Sequence, residues 1–257
     1  MLEKTTPRMG LLALIAGLAA CSSSEPNSNP VVSFNLATRS AAPAVAAVAR
    51  PSFEIYTLGA TTIDFTSVRV AFSEIELERL GSTVECDIAT IDDDDCEEIE
   101  LAPRILGLPL APGASRSISV DVAPGTYDEI EFRVEKLGDE SDEAGLVAAN
   151  PEFDGVSVRV EGTYDDGSGP VSFVFTNDLD VEQELDLATP ITVDATGAAE
   201  LTLFVDIGTW FLNQAGDGYV DPAQANKGGQ HESEVKENIK KSFDAFEDDD
   251  HDGESDS

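Results

Sequence analysis

The sequence has very little histidine. Only two of its 257 residues are histidines, His231 and His251, and both follow the strand-rich part of the chain. That part therefore has no imidazole for a Ser–His or Cys–His nucleophile pair, which excludes a conventional catalytic triad there. The GxSxG, HExxH, GxGxxG and P-loop patterns of common hydrolases, metalloproteases and nucleotide-binding enzymes are also absent. We expect a protein without enzymatic activity.

Positive charge is scarce as well. Lysine and arginine number 15 against 51 aspartates and glutamates, so the formal net charge is −36 at pH 7. Such a chain repels phosphate backbones, which argues against nucleic-acid binding. One enzymatic alternative stays open, because two carboxylates about 5 to 9 Å apart serve glycoside hydrolysis. With so many acids a close pair arises by chance, so a carboxylate-dependent, glycan-acting hydrolase is the alternative and not the first expectation.

Aromatic residues that could face a sugar are few. Trp210 is the only tryptophan and directly follows a predicted strand. Sugar-binding modules present aromatic faces in this way, but a tryptophan in this position also packs at the edge of a core. Tyr127 allows the same two interpretations, and packing is favoured for both. A carbohydrate-binding module is therefore kept as a further alternative.

Long apolar runs are limited to one, Met9–Ala20, which follows Lys4 and Arg8 and ends just before Cys21. A helix needs about 20 apolar residues to cross a bilayer, so this run is too short to span one. A charged start, a short apolar run and small residues are typical of an export signal, which we assign to residues 1–20. The alternative, a buried N-terminal helix, is disfavoured because the polar segment SSSEPNSNP follows directly.

Residues Leu18, Ala19, Ala20 and Cys21 resemble the lipobox of bacterial lipoproteins. The resemblance implies cleavage before Cys21 and attachment of diacylglycerol to its thiol, so the partner would be a lipid bilayer. Ser22, where retained lipoproteins have Asp, implies the outer membrane. Two or three acyl chains hold a protein firmly, because each buried methylene contributes about 0.8 kcal/mol.

The other two cysteines, Cys86 and Cys96, lie close together in the chain. In an oxidising exported compartment such a pair predicts a disulfide. The bond would close a loop of about ten residues and contribute about 2 to 3 kcal/mol. Two free thiols are the alternative. A zinc site is disfavoured, since no histidine is near and the neighbouring residues are carboxylates.

Residues 21–51 are rich in Ser, Asn, Ala and Pro and predict a flexible linker. From residue 52 to residue 212, short alternating stretches rich in β-branched and aromatic residues are separated by turn signals. They predict an all-β domain of two packed antiparallel sheets, of immunoglobulin-like or transthyretin-like type, with a closed barrel as the alternative. Val68, Val70 and Phe72 share one phase and Ile75 and Leu77 take the other, which predicts a bulge near Ser73. The predicted strands are SFEIYTL, SVRVAFSEIELERL, SISVDV, DEIEFRVEKL, VSVRVEGTY, VSFVFTN, ITVDA and ELTLFVDI.

Three of these stretches carry a resemblance of their own: VRVAFSEIELERL, APGTYDEIEFRVEKL and ELTLFVDIGTWF. They resemble an uncharacterised family of exported lipoprotein β-sandwich domains, known only as a domain of unknown function. The resemblance covers roughly residues 52–212. It implies a fold and a location and brings no established activity.

After a turn-rich loop, residues 213–230, the spacing of Val235, Ile239, Phe243 and Phe246 predicts an amphipathic helix over residues 231–246. Ser233 is placed to cap it. The pairs Glu232–Lys236 and Glu237–Lys241 have the spacing of helical ion pairs. The apolar stripe requires a partner surface, which is either the β-sandwich or another protein.

The acidic tail, residues 247–257, places Asp248, Asp250, Asp252 and Asp256 at positions 1, 3, 5 and 9 of a DxDxDGxxD pattern. The pattern resembles EF-hand and related calcium loops, in which alternate carboxylates converge on one ion. The chain ends before the bidentate acid of position 12, so the resemblance implies weak calcium binding, in the millimolar range of extracellular modules. The alternative is a disordered acidic tail without a specific cation, and we expect no other cofactor.

Overall fold

A computed structural model describes residues 31–38, 54–80, 102–111, 115–122, 124–138, 143–194 and 198–246. These residues form eleven strands and two α-helices, α1 (Ala144–Ala149) and α2 (Glu232–Lys240). The strands are β1 (Val31–Thr38), β2 (Glu54–Leu58), β3 (Thr61–Arg79), β4 (Arg104–Gly107), β5 (Ser115–Asp121), β6 (Gly125–Val134), β7 (Val158–Asp165), β8 (Val171–Asn177), β9 (Val181–Val193), β10 (Ala198–Val205) and β11 (Phe243–Phe246).

The strands form two sheets, which confirms the predicted all-β fold with two sheets. The four-stranded sheet has the order β11-β10-β1-β5, and the seven-stranded sheet follows the path β8-β7-β3-β6-β9, with β2 and β4 also paired to β3. Apolar residues of both sheets share one buried core. The rings of Phe132 (β6) and Phe243 (β11), for example, lie with centroids 5.0 Å apart. One pair, β1 with β10, is parallel, so the sandwich is not purely antiparallel.

Strand β3 is the central strand of the larger sheet and pairs with β2, β4, β6 and β7. Val70 pairs with both Leu106 of β4 and Val158 of β7. Phe72 pairs with both Arg104 of β4 and Val134 of β6. A strand residue has one neighbour on each side, so β7 and β6 lie end to end along one side of β3, and β4 lies on the other. Strands β8 and β9 follow β7 and β6 in the same end-to-end manner.

The predicted bulge at Ser73 is confirmed. The pairing of β3 with β6 shifts register between Phe72 and Glu74. Val70 and Phe72 before the shift are buried, and so are Ile75 and Leu77 after it. One extra residue changes which face a side chain takes, because side chains alternate along a strand. The bulge thereby keeps both halves of β3 facing the core.

The linker prediction is wrong for residues 31–38, which form β1. This strand lies between β10 and β5, and its Leu36 is buried in the shared core. Its partners lie about 80 to 90 residues away in β5 and 167 residues away in β10. The alternation of Val32, Phe34 and Leu36 with less apolar residues is a local strand signal that the linker prediction overlooked. The predicted eight strands also missed β4, β11 and the first part of β9.

The C-terminal helix is shorter than the predicted 231–246. It ends at Lys240, and Phe243–Phe246 form β11, which pairs with β10 at the edge of the smaller sheet. Edge pairing satisfies backbone groups that would otherwise stay open, which explains why the chain leaves the helix here. The predicted cap is also wrong, because His231 is the N-cap residue and Ser233 lies within the helix.

Helix α2 docks on the sandwich, as the first of the two interpretations predicted. Val235 and Ile239 are fully buried in the shared core. Asp178, after β8, accepts hydrogen bonds from Lys227 (2.6 Å) and Lys236 (2.9 Å). These two ammonium groups lower the pKa of Asp178 to about 2. The predicted pair Glu232–Lys236 is present at 3.1 Å, whereas Glu237 approaches Lys240, at 3.9 Å.

Candidate functional site

A cleft of about 460 Å³ opens where the two sheets meet, between β3, β4 and the start of β5. On this side of β3, β2 pairs only as far as Phe65 and β4 pairs only from Arg69 onward. The residues between them, 66–68, are covered by the chain that leaves β4, where the Leu108 amide donates to the Val68 carbonyl at 2.9 Å. Because no strand pairs with residues 66–68 here, the cleft opens between them and the chain that follows β4.

Two arginines from different sheets face this cleft. Arg69 lies on β3 directly opposite Gly107 of β4, and Arg116 lies on β5. A Cβ atom at Gly107 would lie 3.9 Å from both Arg69 Cγ and Arg116 Nη2. The two side chains therefore approach the same residue, and the absence of a side chain at Gly107 keeps the space between them open.

Arg69 is held in place by its neighbours. Its Nη2 donates to Glu152 Oε1 at 2.5 Å, and its guanidinium lies over the Phe153 ring, 4.8 Å from the centroid. The hydrogen bond from Arg69 lowers the pKa of Glu152. Both partners belong to the connection between β6 and β7, which covers this part of the sheet. Arg69 thus lines the cleft with its stem beside Gly107, while Glu152 and Phe153 hold its guanidinium and Glu152 balances its charge.

Arg116 differs because it is exposed and, among the residues that the structure describes, no carboxylate lies within ion-pair distance of it. The residues lining the cleft include both arginines, three hydroxyl side chains and no Asp or Glu. The hydroxyls belong to Thr66, Ser67 and Ser115. The cleft therefore has a positively charged lining, although the chain as a whole is strongly acidic.

Beyond the Ser73 bulge the same sheet has an acidic outer face on β3, β6 and β9. Its residues form three cross-strand rows in register: Glu74–Arg133–Glu182, Glu76–Glu131–Glu184 and Glu78–Glu129–Asp186. Like charges directly opposite one another destabilise a sheet. Arg133 is the one cation of the array and lies 3.2 Å from Asp180 and 3.4 Å from Glu135.

Glu129, in the middle of its row, has a pKa raised to about 7. Desolvation by burial is the largest cause, followed by the hydrogen bond and charge of Glu78 and then by the charges of Asp186 and Glu184. Glu78 and Glu129 can share one proton, which relieves the repulsion between them.

We expect Glu129→Gln to stabilise the protein at pH 8 and not at pH 4.5. The folded pKa of about 7 lies above the unfolded value of about 4.3, so the native state loses stability as pH rises between them. Glutamine removes this loss, and after solvent screening the gain at pH 8 should be about 1 kcal/mol. Urea unfolding followed by circular dichroism at both pH values measures it.

The matched control is Glu182→Gln, which neutralises an acid on the same face but opposite a cation, Arg133. It should give no stabilisation at pH 8. A gain for Glu129→Gln that is equal at pH 8 and pH 4.5 would contradict the raised pKa.

A second group of carboxylates lies inside the domain. Glu54 is 5% exposed and adjoins Tyr56, whose pKa is raised by burial first and by the Glu54 carboxylate second. The charge of Asp206 also raises the pKa of Tyr56. Glu54 and Tyr56 are both buried, and neither lines the cleft.

The predicted aromatic residues are core residues. Trp210 is fully buried, and its indole Nε1 donates to Ser242 Oγ at 2.8 Å. Tyr127 is 1% exposed, with Arg79 over its ring at 5.6 Å. The sugar-stacking interpretation of both residues is wrong, since neither ring face reaches the surface. The packing interpretation is confirmed.

The other predicted site residues lie outside the described residues. They are the lipidation site Cys21, the disulfide pair Cys86 and Cys96, and the calcium ligands Asp248, Asp250, Asp252 and Asp256. Across the ranges that are described, no three His, Cys, Asp or Glu side chains are grouped as metal ligands would be. Sequence analysis missed Arg69 and Arg116. Their only advance signal is that they are two of few cations.

In the described part of the chain, no helix combines the length and the apolar composition of a membrane span. Comparison of the chain with protein-family models, with curated proteins and with solved structures gives no match. Any function of this chain is therefore inferred from its own residues and geometry.

Proposed function

We propose that this protein is an exported, lipid-anchored binding or structural protein without enzymatic activity, and that the arginine cleft is its ligand site. The anchor is acylated Cys21 in the outer membrane. The lipobox-like residues Leu18–Cys21 support the anchor, because they follow a short apolar run that a charged start precedes. The likeness to an uncharacterised family of exported lipoprotein domains supports the same location.

The cleft is the observation that carries the binding function. Small-molecule sites are concave, measure about 300 to 1,000 Å³ and combine apolar walls with a few convergent polar groups. The volume of about 460 Å³ is in this range. Arg69 and Arg116 provide the convergent groups, and Leu108, Pro109 and Leu110 provide apolar wall. The charge of Arg69 is balanced by Glu152, so among the described residues Arg116 is the unbalanced cation of the cleft.

The alternative is a carboxylate-dependent, glycan-acting hydrolase, and the Glu78–Glu129 pair is what favours it. A carboxyl group with a pKa near 7 suits a general acid. Its geometry argues against this role. The two carboxyls are hydrogen-bonded to each other, whereas glycosidase carboxyls stand about 5 to 9 Å apart to admit the sugar. They also lie on strand residues of an outer sheet face and outside the cleft.

One assay separates the two functions. Purified mature protein is applied to an array of neutral and anionic glycans, and the same glycans are incubated with it in solution to detect released reducing ends. We expect saturable retention of a subset of glycans without turnover. Gly107→Leu should abolish retention, because its side chain fills the space between Arg69 and Arg116.

The matched control is Gly145→Leu, on α1, where a new side chain meets nothing within 4 Å. It should bind as the wild type does. Turnover that Glu129→Gln abolishes would establish the hydrolase instead. If the wild type retains no glycan, or if the wild type and Gly107→Leu retain glycans equally, a ligand site in the cleft is contradicted.

Two sequence predictions complete this proposal. A Cys86–Cys96 disulfide would close the acidic segment between β3 and β4, as expected in an oxidising compartment. The tail carboxylates Asp248, Asp250, Asp252 and Asp256 would bind calcium weakly, through the alternation that calcium loops use. Both stay predictions from the sequence.

A further inference from the structure

We infer that the cleft binds a small ligand through one anionic group, a carboxylate or a phosphate, held by Arg116 and Arg69. The inference rests on the proposed binding function and adds the chemical class of the ligand. Arginine presents its N–H donors in a planar fork that matches carboxylate and phosphate oxygens. Both arginines line one open cleft, and Arg116 brings its fork to the space beside Gly107.

Arg116 supplies the unbalanced charge. It is exposed and has no ion-pair partner among the described residues, and its Nη2 lies beside Gly107. Arg69 donates from one of its nitrogens to Glu152, and a guanidinium has five N–H donors, so others are left for a ligand. Because Glu152 and Phe153 fix Arg69, little side-chain entropy is lost when it binds. The Ser67 and Ser115 hydroxyls line the same cleft and can donate as well.

The net charge of −36 favours a small anion over a polyanion at this site. Exposed charges are largely screened beyond about 8 Å at physiological ionic strength, so a small anion in the cleft responds chiefly to the two arginines. The acidic rows of β3 begin only after the Ser73 bulge. A polyanion would extend beyond the cleft over acidic surface and be repelled. A sugar-sized molecule with one anionic group fits both the charge and the volume of about 460 Å³.

The test is a calorimetric titration of the mature protein with three matched sugars. Glucose is neutral, glucuronate adds a carboxylate and glucose 6-phosphate adds a phosphate. We expect at least one of the two anions to bind ten-fold or more tightly than glucose. The stronger of the two identifies the source of the anionic group. Affinity should fall as salt is raised, since the interaction is between charges.

Variants locate the site. Arg116→Gln should weaken anion binding at least ten-fold and leave glucose unaffected, and Arg116→Lys should recover part of the loss, because it restores charge without the fork. Arg116 makes no described contact that folding needs, so both variants should fold. Arg79→Gln, whose side chain packs over Tyr127 away from the cleft, is the matched control and should bind as the wild type does.

The outcomes separate this inference from the function on which it rests. If glucose binds as well as the anions, Arg116→Gln has no effect and Gly107→Leu still abolishes binding, the anion class is wrong and the cleft remains a ligand site. If anions bind equally well to Gly107→Leu, or if neither anion binds, the inference is overturned. A polyanion such as polygalacturonate that binds more tightly than glucuronate would overturn the size argument.

Discussion

Replacing Cys21 with Ser is expected to abolish acylation and to leave the precursor uncut. The lipobox resemblance implies that the lipid is attached to the sulfur atom of Cys21. The hydroxyl of serine is not acylated in its place. Without two or three acyl chains, each contributing about 0.8 kcal/mol per buried methylene, firm anchoring is lost. Metabolic labelling with an alkyne fatty acid, read together with gel mobility, measures both effects in one experiment.

Two further variants make this result specific. Ser22→Asp should still be labelled and processed but should move from the outer to the inner membrane, because Asp at this place marks retention in the lipoprotein resemblance. Cys86→Ser should be labelled as the wild type is, since that thiol lies far from the signal. A Cys21→Ser protein that is labelled, processed and fractionated like the wild type would show that the lipobox interpretation is wrong.

Trp210→Ala is expected to lower the free energy of unfolding by about 3 to 5 kcal/mol, the range for removal of a large buried aromatic side chain. Trp210 is fully buried, and its Nε1 donates to Ser242 Oγ. The Trp210 carbonyl also accepts from Asn238 of α2. The variant therefore leaves a cavity and loses the hydrogen bond to Ser242, whereas the backbone bond to Asn238 is retained. Urea unfolding followed by far-UV circular dichroism measures the loss, because the only tryptophan is the residue removed.

Trp210→Phe separates the two contributions. It retains most of the buried volume and loses the indole N–H together with part of the ring, so it should cost less than Trp210→Ala, about 1 to 2 kcal/mol. Val171→Ala, at a side chain that is 67% exposed, is the surface control and should change stability by less than about 0.5 kcal/mol. A loss for Trp210→Ala no larger than that for Val171→Ala would contradict a core role.

Local patterning predicted the parts of the fold in which each strand reveals its own buried face. Val68, Val70 and Phe72 alternate, the alternation breaks, and Ile75 and Leu77 resume it in the other phase. That break alone was sufficient to locate the Ser73 bulge, which the register confirms. Trp210 and the stripe Val235–Ile239 were interpreted correctly for the same reason, since burial follows from apolar spacing within one segment.

The features that the sequence analysis missed depend on partners far along the chain. β1 has an alternating pattern of its own, but nothing local shows that it lies between β10 and β5. Phe243 fits a helical stripe until the edge of β10 pairs with β11. Arg69 and Arg116, on different sheets, meet at Gly107 only through the register of β3 with β4 and the approach of β5. Sequence spacing carries none of these distances, so the candidate site was not predictable from it.

Under the proposed anchor at Cys21, the position of β1 limits how far the domain can lie from the membrane. The linker predicted at residues 21–51 would have allowed a reach of about 100 Å, at about 3.3 to 3.6 Å per extended residue. Because β1 begins at Val31, only the ten steps from Cys21 to Val31 are left for the tether, which is at most about 36 Å. If Cys21 is acylated as proposed, tension on the lipid is delivered to a strand that is hydrogen-bonded on both sides, to β10 and β5. A lipid-anchored chain of this design stays close to the bilayer, and a force on the anchor acts on an inner strand of the four-stranded sheet.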